Sequence, residues 1–195
     1  MTNKYYIIHK PYKILSQFTD ENGNSGLGSL YQLPADVYAV GRLDLDSEGL
    51  LILTNDKSLN QRLLNPKFKH ERTYWAQVEG IPNDEDLLKF TSGFNINLGK
   101  GKKHHTLPAK IKILERLSIE ERLPPVNYTK SPQHCWLEIK LIEGKNRQVR
   151  KMTAAIGHPT LRLIRSSIER LALANLVSGQ IQELGKNKIY ELLNL

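Results

Sequence analysis

The segment GRLDLDSEGLLILTND, residues 41–56, decides how the fold is organised. Its acidic part DLDSEG occupies 44–49, and the apolar run LLILT follows at 50–54. A short continuous apolar run bounded by polar residues is typical of a strand buried on both faces. We therefore predict a turn at 44–49 that leads into a central strand, with acidic side chains placed where that strand begins.

The spacing of the acids first suggests a calcium-binding loop. Asp44, Asp46, Glu48 and Gly49 stand at the first, third, fifth and sixth positions of such a loop. The twelfth position requires a bidentate glutamate, but it is Asn55, and strands are predicted where the two flanking helices should be. The pattern therefore argues against calcium.

Two other interpretations assign chemistry to the same turn. In an extended segment Asp44 and Asp46 project to one side, as a hydrolase with paired carboxylates would require. Such an enzyme keeps one carboxyl group protonated, and neighbouring cations oppose this by lowering carboxyl pKa values. Alternatively, a single ionised aspartate at the strand end, held by an arginine, acts on a nucleotide. Spacing alone leaves both open.

Strand-like and helix-like runs surround this segment without a regular βαβ rhythm. We predict strands at 4–10, 36–43, 50–54, 71–80, 109–117 and 135–144, helices at 55–66, 82–94 and 146–157, and loops at 18–34, 97–110 and 122–133. This order predicts an α+β fold with a largely antiparallel sheet.

The helix predicted at 55–66 has clear local determinants. Asn55 or Asp56 can cap its first turn, and Asn65-Pro66 ends it. Its apolar stripe is predicted from three leucines, Leu59, Leu63 and Leu64.

Charge is the strongest global feature of the 195-residue chain. It has 28 basic and 20 acidic residues, a formal net charge of +8, which favours polyanions such as nucleic acid. No apolar run approaches the length of a membrane span, and the N-terminal segment does not resemble a secretory signal. We therefore expect a cytoplasmic protein without membrane contact. A single cysteine excludes an internal disulfide.

The predicted helix at 146–157 concentrates positive charge. Helical spacing places Arg147, Arg150 and Lys151 on one face, and the opposite face can anchor to the core through Val149, Met152, Thr153 and Ile156. Either a phosphate backbone or solvent could face the cations. The pair His104-His105 lacks carboxylate or thiol neighbours at ligand spacing, so we expect a basic, RNA-facing loop there and no metal.

Four motifs together resemble the pseudouridine synthases that act on ribosomal RNA. In chain order they are HKPYKILSQFTD at 9–20, GRLDLDSEGLLILTND at 41–56, RTYWAQVEG at 72–80 and EGKNRQVRKMTAAIGHPTLRLIR at 143–165. The stretches SQFTDENG, QVEGIP and GHPTLRLIR are most similar to type E of the large-subunit group. The combination is far more specific than any single motif.

The resemblance implies a pseudouridine synthase fold, α+β with flanking helices and a central catalytic cleft. It implies a reaction that breaks the N1–C1′ bond of uridine, turns the base and rejoins it through C5, without metal or cofactor. Asp44 would be the catalytic aspartate, acting on C1′ or on a 2′ proton. Arg150 would form a salt bridge with it, Tyr74 would lie against the target base, and Leu163 would be an apolar wall of the pocket.

Elementary chemistry is consistent with these roles. Asp44 must be ionised to act as nucleophile or base, and a pair with Arg150 favours that form. An aromatic ring such as Tyr74 can replace the stacking that a flipped uridine loses. Arg42 can contact a phosphate or fill the vacated stack, or it can pair with Asp46 or Glu48. We expect the carboxylates of Asp46 and Glu48 to accept hydrogen bonds from local N–H groups in the turn.

The chain departs from the family in one respect. Most members of this branch carry a small N-terminal RNA-binding domain of the ribosomal S4 type, whereas here the first motif begins by residue 9. We expect residues 1–195 to form a single catalytic domain of two subdomains that share a sheet, acting as a monomer. RNA capture would then depend on the loop 99–105 and on a set of basic side chains, Lys145, Arg147, Lys151, Arg162 and Arg165.

The expected substrate is a uridine of ribosomal RNA, most specifically of the large subunit. Small-subunit ribosomal RNA, tRNA and a non-catalytic RNA-binding role are the alternatives. The aspartate, tyrosine and arginine that resemble a catalytic set argue against a protein that only binds RNA.

Overall fold

The computed structural model describes residues 2–129 and 132–195. The strands are β1 (Tyr5–Lys10), β2 (Tyr38–Ala39), β3 (Glu48–Thr54), β4 (Arg72–Glu79), β5 (Asn95–Gly99), β6 (Lys102–His105), β7 (Lys110–Leu114), β8 (His134–Leu141), β9 (Thr160–Ile168), β10 (Leu171–Ala172) and β11 (Ile181–Glu183). The helices are α1 (Lys57–Leu64), α2 (Asp84–Ser92), α3 (Gln148–Ala155) and α4 (Lys186–Leu192).

The chain divides into two compact units. The first comprises the described residues up to His70 together with Ile164–Leu195, and the second is Glu71–Leu163. Strand β9 begins in the second unit and ends in the first. Pairing within both units is mostly antiparallel, which confirms the predicted α+β class.

The first unit is built around strand β3. Its strands follow the order β11, β1, β3, β9, with β2 also paired to β3 and β10 to β9. Strand β3 is antiparallel to β1 and parallel to β9. Every residue of β3 is buried, which confirms the prediction from LLILT. An apolar core of the first unit is formed by Tyr6, Ile8, Leu27, Tyr31, Val37, Leu43, Leu51 and Leu53.

The strand predicted at 36–43 is shorter than expected. Only Tyr38–Ala39 is regular strand, and the last main-chain bond to β3 runs from the Val40 N–H to the Ile52 carbonyl oxygen, at 2.8 Å. Gly41 then takes a left-handed conformation with φ of 73°, which turns the chain out of the strand.

The predicted cap and end of helix α1 are confirmed, and so are two of the three predicted buried leucines. The Asp56 carboxylate caps the helix by accepting from the N–H groups of Ser58 and Leu59, and the helix stops before Pro66. Leu59 and Leu63, four residues apart, are buried. Leu64 is 42% exposed, so its predicted place in the stripe is wrong; it lies about 100° around the helix from Leu63.

The second unit contains an antiparallel sheet in the order β4, β8, β7. All four elements predicted at 71–80, 82–94, 109–117 and 135–144 are present as β4, α2, β7 and β8. The described residues of the predicted loop at 122–133 form no helix or strand, and Lys130 and Ser131 lie outside the described residues. The core consists of Ala76, Val78, Phe90, Ile96, Ala109, Leu137, Ile139, Leu141, Val149, Met152, Ile156 and Leu163.

The basic segment predicted as a loop is a β-hairpin. Strands β5 and β6 pair antiparallel, and Gly99 pairs with Lys102 across the turn. Lys100 and Gly101 between them both have positive φ, 51° and 73°, as a type I′ hairpin turn requires. The prediction missed it because β6, KKHH, is wholly polar and the apolar alternation of β5 is limited to Ile96 and Leu98.

Candidate active site

In the first unit, Asp44 lies in a tight turn just before β3. The Ser47 N–H donates to the Asp44 carbonyl oxygen at 3.0 Å, which closes the predicted turn. Asp44 itself is half-buried. The turn therefore places its side chain at the N-terminal end of the buried central strand.

The residues on either side of Asp44 are held through their main chain. The Ser16 hydroxyl donates to the Leu43 carbonyl oxygen and accepts from the Leu43 N–H, both at 2.9 Å. On the other side, the Lys13 N–H donates to the Leu45 carbonyl oxygen at 2.8 Å. The first sequence motif thus fixes the backbone that carries the aspartate.

A buried cation lies near the same turn. Lys10, the last residue of β1, is completely buried. Burial lowers the pKa of its ammonium to about 8, although the negative charges of Glu48, Asp46 and Asp44 act to raise it; the positive charge of Arg165 lowers it further. The turn and the ends of its neighbouring strands therefore form a compact group of opposed charges. Lys10 was not singled out in the sequence, because a lysine at a strand end is normally exposed.

Glu48 and Gly49 belong to the strand and not to the turn. Glu48 is the first residue of β3 and is only 1% exposed, so its predicted role as a turn residue is wrong. Gly49 pairs with Arg165 of β9, and a Cβ built on Gly49 would lie 2.3 Å from the Arg165 carbonyl oxygen. A glycine is needed there because the two backbones come too close for any side chain.

The two arginines predicted to contact RNA in this unit differ in exposure. Arg42 is exposed. Arg165 is 5% exposed, and its Nε donates to the Leu50 carbonyl oxygen at 2.9 Å. Exposure favours Arg42 as a phosphate contact, whereas the contact predicted for Arg165 stays a prediction that its burial does not favour.

In the second unit, helix α3 positions Arg150. The apolar face is buried as predicted, through Val149, Met152, Thr153 and Ile156. Arg150 is half-buried, and its Nη1 donates to the Thr160 carbonyl oxygen at 3.3 Å.

The predicted common face of the three cations is wrong for Arg147. The helix starts at Gln148, and Arg147 precedes it in a left-handed conformation with φ of 53°. Its exposed side chain therefore does not follow the helical spacing of Arg150 and Lys151. Lys145 is exposed as well, and the Lys151 ammonium donates to the Asn146 carbonyl oxygen at 2.8 Å.

Glu143 ties the start of α3 to the basic hairpin. Its carboxylate accepts from the Gln148 amide at 2.6 Å and the Leu107 N–H at 2.8 Å, and it pairs with His104 Nε2 at 3.0 Å. Burial alone would raise the pKa of Glu143, but these hydrogen bonds and the His104 ring lower it. His104 is thus held by a carboxylate, while the neighbouring Lys102 and Lys103 are exposed. Glu143 was not singled out in the sequence, although it opens the last motif.

The remaining predicted residues lie on strands of the second unit. Tyr74 on β4 is half-buried, pairs with Ile139 of β8 and packs against the core, and Leu163 is 5% exposed within that core. Arg162 is buried; its Nη1 donates to the Glu120 carbonyl oxygen at 2.8 Å, and its guanidinium lies 6.0 Å from the Trp136 ring centroid. The contact between Arg162 and RNA stays a prediction that this burial does not favour.

The site residues thus fall into two groups. Asp44, with Arg42 and Arg165, belongs to the first unit, and Tyr74 and Arg150 belong to the second, together with Lys145, Arg147, Lys151 and Leu163. The salt bridge between Asp44 and Arg150 remains a prediction. Among the described residues, no group of three His, Cys, Asp or Glu side chains could hold a metal ion. None of the helices in the described part of the chain has the length and apolar character that crossing a membrane requires.

Comparison with known proteins gives consistent matches. Residues 4–155 match the family described as RNA pseudouridylate synthase. Ribosomal large subunit pseudouridine synthase E of Vibrio parahaemolyticus is 48% identical over 181 residues, covering 93% of this chain and 74% of that protein. Ribosomal large subunit pseudouridine synthase B of Bacillus subtilis is 34% identical over 189 residues, covering 96% of this chain and 70% of that protein. A crystal structure of a pseudouridylate synthase shares the fold, with a TM-score of 0.79, 23% identity and coverage of 98% of this chain and 74% of that chain.

Proposed function

Because the chain belongs to the RNA pseudouridylate synthase family, we propose that it converts a specific uridine of large-subunit ribosomal RNA to pseudouridine. The observation that carries this proposal is the 48% identity, over 93% of the chain, to a ribosomal large subunit pseudouridine synthase E. The lower identity of 34% to a type B enzyme favours type E. The net charge of +8 suits an RNA substrate.

Asp44 is the catalytic carboxylate in this proposal. It stands in the GRLD motif, and hydrogen bonds to both of its sequence neighbours hold the main chain that carries it. A nucleophile or base gains most when its position is fixed before the substrate arrives, because the cost of orienting it is then already met. Either attack on C1′ or removal of a 2′ proton is compatible with this placement.

Tyr74 and Arg150 complete the catalytic set that we propose. Tyr74 would stack on the flipped base, and Arg150 would pair with the Asp44 carboxylate. Phosphate contacts would come from the exposed Arg42, Lys145 and Arg147, and from the half-buried Lys151. The protein would work as a monomer, in the cytoplasm, with both units contributing to one catalytic domain.

Release of tritium from RNA labelled at C5 of uridine tests the reaction directly, because C5 must lose its hydrogen when the new glycosidic bond forms. We expect the wild-type protein to release tritium from large-subunit RNA and Asp44→Asn to release none while folding normally. Normal release by Asp44→Asn would contradict the mechanism. No release by the wild type from any ribosomal RNA would contradict the function.

Arg150→Ala distinguishes a role of Arg150 in catalysis from a role in RNA binding. For Arg150→Ala we expect kcat to fall about 100-fold, the order of loss when one charge-stabilising group is removed. The affinity for RNA should change far less, since one phosphate contact among many contributes little. Lys151→Ala, one residue along the helix, is the matched control. Equal losses of kcat and affinity in Arg150→Ala would make Arg150 a phosphate contact only.

The target uridine is found by mapping pseudouridines in ribosomal RNA from cells with and without the gene. We expect one position of the large-subunit RNA to lose its modification. A change confined to small-subunit RNA or tRNA would contradict the proposed substrate and leave the reaction in place.

A further inference from the structure

Phe68 is the aromatic side chain that the fold leaves exposed. Every Phe, Tyr and Trp of the chain lies within residues 2–129 and 132–195, and of these only Phe68 is exposed, at 56% of its surface. Scattered exposed aliphatic residues are common on soluble proteins and need no explanation. A phenylalanine ring differs from them, because it offers a large flat apolar face. The exposed ring is thus a candidate contact surface.

The main chain around Phe68 is held in a fixed shape. Pro66–Phe68 form a single 3₁₀ turn, which the Asn65 side chain caps by accepting from the Lys67 N–H at 3.0 Å. The N–H groups of Phe68 and Lys69 close the turn by donating to carbonyl oxygens three residues earlier. A ligand that binds this segment does not have to order it first, which lowers the entropic cost of binding.

The Phe68 ring rests against an anchored neighbour. His70 is buried, and its Nδ1 lies 3.0 Å from the Glu169 carboxylate, within the first unit. The centroids of the Phe68 and His70 rings are 6.1 Å apart, and their planes meet at 37°. Packing against His70 thus supports the Phe68 ring, while more than half of its surface stays open.

Two cations flank the ring along the chain. Lys67 and Lys69 are both exposed, and neither forms an ion pair with any residue of the described ranges. A nucleotide of a single strand has a base to stack and a phosphate on each side of it. An unneutralised lysine on each side of an exposed ring matches that chemistry, and cations combined with aromatic rings are typical of surfaces that bind single-stranded RNA.

The segment begins beside the turn that carries Asp44. A Cβ built on Gly41, three residues before Asp44, would lie 3.0 Å from the Leu64 side chain at the end of α1. Phe68 follows Leu64 by four residues, which limits the distance between their Cα atoms to about 14 Å. An RNA strand that brings a uridine to Asp44 can therefore have a nearby nucleotide at Phe68.

We propose that Phe68, with Lys67 and Lys69, is a stacking platform for an unpaired base of the substrate RNA, near the target uridine but distinct from it. The inference rests on the proposed function, because it assumes that the RNA reaches Asp44. A stable protein partner fits this surface less well, since such an interface buries about 800 Å² on each side and one aromatic ring supplies about 150–250 Å². Phe68 is given no part in the chemical step.

Phe68→Ala tests the platform in the tritium-release assay with large-subunit ribosomal RNA. We expect KM to rise about 10-fold, the order of loss when one base loses its stacking partner, and kcat to stay within about twofold. Phe68→Trp should keep wild-type KM. Phe68→Leu should not, because leucine is apolar but has no flat face. Since leucine keeps apolar packing against His70, this variant decides if Phe68→Ala does not fold.

Leu88→Ala is the matched control for the loss of an exposed apolar side chain. Leu88 is 66% exposed on α2, and the lysine next to it pairs with Asp86. It therefore lacks both the aromatic face and the free neighbouring cation, and KM should not change.

The lysines are tested by the salt dependence of the RNA affinity. Each phosphate contact with a single strand contributes about 0.7 to the slope of log affinity against log salt concentration. The double variant Lys67→Gln, Lys69→Gln should therefore reduce that slope by about 1.4. Phe68→Ala should weaken binding equally at all salt concentrations. Lys4→Gln, which removes an exposed lysine that pairs with Glu183, is the control and should leave the slope unchanged.

Three results would overturn the inference: wild-type KM and RNA affinity in a folded Phe68→Ala, full activity in Phe68→Leu, or an unchanged salt slope in the double lysine variant. Altered sedimentation of Phe68→Ala at unchanged RNA affinity would overturn it in favour of a contact between proteins. If wild type releases tritium while Phe68→Ala has wild-type KM, the platform fails and the proposed function stands. If wild type releases none, the proposed function fails, and the affinity measurements alone decide whether Phe68 contacts RNA.

Discussion

Strand β3 has an aspartate just beyond each of its ends, Asp44 before it and Asp56 after it. Asp56 is 5% exposed, and its carboxylate accepts four hydrogen bonds. The donors are the Tyr5 and Tyr190 hydroxyls at 2.8 and 2.6 Å and the N–H groups of Ser58 and Leu59 at 2.9 and 3.3 Å. A carboxylate surrounded in this way joins β1, α1 and α4 within the first unit.

The end of β3 that carries Asp44 is built differently. There the hydrogen bonds from Ser16, Lys13 and Ser47 go to the main chain at 43–45, and Asp44 is half-buried. Hydrogen bonds to the main chain on both sides of Asp44 fix its place, and four hydrogen bonds to the carboxylate fix the place of Asp56. Two acids of one motif thus have different surroundings, and we propose that Asp44 serves the reaction while Asp56 serves the fold.

The largest effect we expect is on turnover. Asp44→Asn should lower kcat at least about 1000-fold, as the loss of a residue that takes part in bond making does. Asp56→Asn keeps the shape and the capping oxygen and should leave kcat within about threefold. The same tritium-release assay measures both. If Asp56→Asn were as inactive as Asp44→Asn while remaining folded, the division between the two ends of β3 would be wrong.

The close approach of Gly49 to Arg165 makes the Asp44 end of β3 important for stability too. In Gly49→Ala the new Cβ would lie 2.3 Å from the Arg165 carbonyl oxygen, and φ is already 109°. We expect the free energy of unfolding to fall by about 4 kcal/mol, in the range typical of severe backbone strain and overpacking. Denaturant unfolding measures it.

Gly144→Ala is the control for this change. A methyl group added at Gly144 would have no other atom within 4 Å, and this residue needs no left-handed conformation. Its unfolding free energy should change by less than about 0.5 kcal/mol. A similar small change in Gly49→Ala would show that β3 and β9 can move apart, against the close approach of Gly49 to Arg165.

The sequence predicted contacts between residues that are close along the chain and missed contacts between residues that are far apart. The cap of α1 by Asp56 was predictable, because the donor N–H groups lie two and three residues away. The tyrosines that complete the site were not, since Tyr5 and Tyr190 are 51 and 134 residues distant. Nothing in the local pattern of KIYELLNL or of the exposed β11 indicates that the C-terminal segment returns to β1.

In the candidate site, the sequence indicated the motif residues but not which side chains are buried. The motifs singled out Asp44, Tyr74 and Arg150 because their neighbouring residues are distinctive, and motif resemblance does not depend on distance along the chain. Burial was harder to predict. Glu48 was predicted in the turn and Lys10 was not singled out, yet both are buried, because β1 and β3 pair over six residues and bring their ends together.

Asp56→Ala tests the stabilising role of the Asp56 end of β3. We expect a somewhat smaller loss of unfolding free energy than for Gly49→Ala. Removing the carboxylate uncaps α1 and takes an acceptor from the buried Tyr5 hydroxyl and from the half-buried Tyr190 hydroxyl, at a cost of about 3 kcal/mol in unfolding free energy. Asp36→Ala, which removes an exposed carboxylate that accepts from Asn55, is the control and should cost less than about 1 kcal/mol. Equal costs would mean that the network around Asp56 contributes nothing beyond a surface contact.

The smallest effect is a pH dependence at Asp56. Burial would raise the pKa of this carboxyl, but the hydrogen bonds from Tyr190, Tyr5 and the two N–H groups outweigh it, and the pKa is lowered. A carboxyl group whose folded pKa lies below its unfolded value stabilises the fold above the unfolded pKa, about 3.9 for aspartate, and loses this contribution as the pH falls through the folded pKa. The difference in unfolding free energy between wild type and Asp56→Asn should therefore be full at pH 7 and should shrink below about pH 4. Tyr190→Phe, which removes one donor, should show a smaller change over the same range. A difference that stays constant from pH 7 to pH 3 would mean that Asp56 acts through shape and not through its charge.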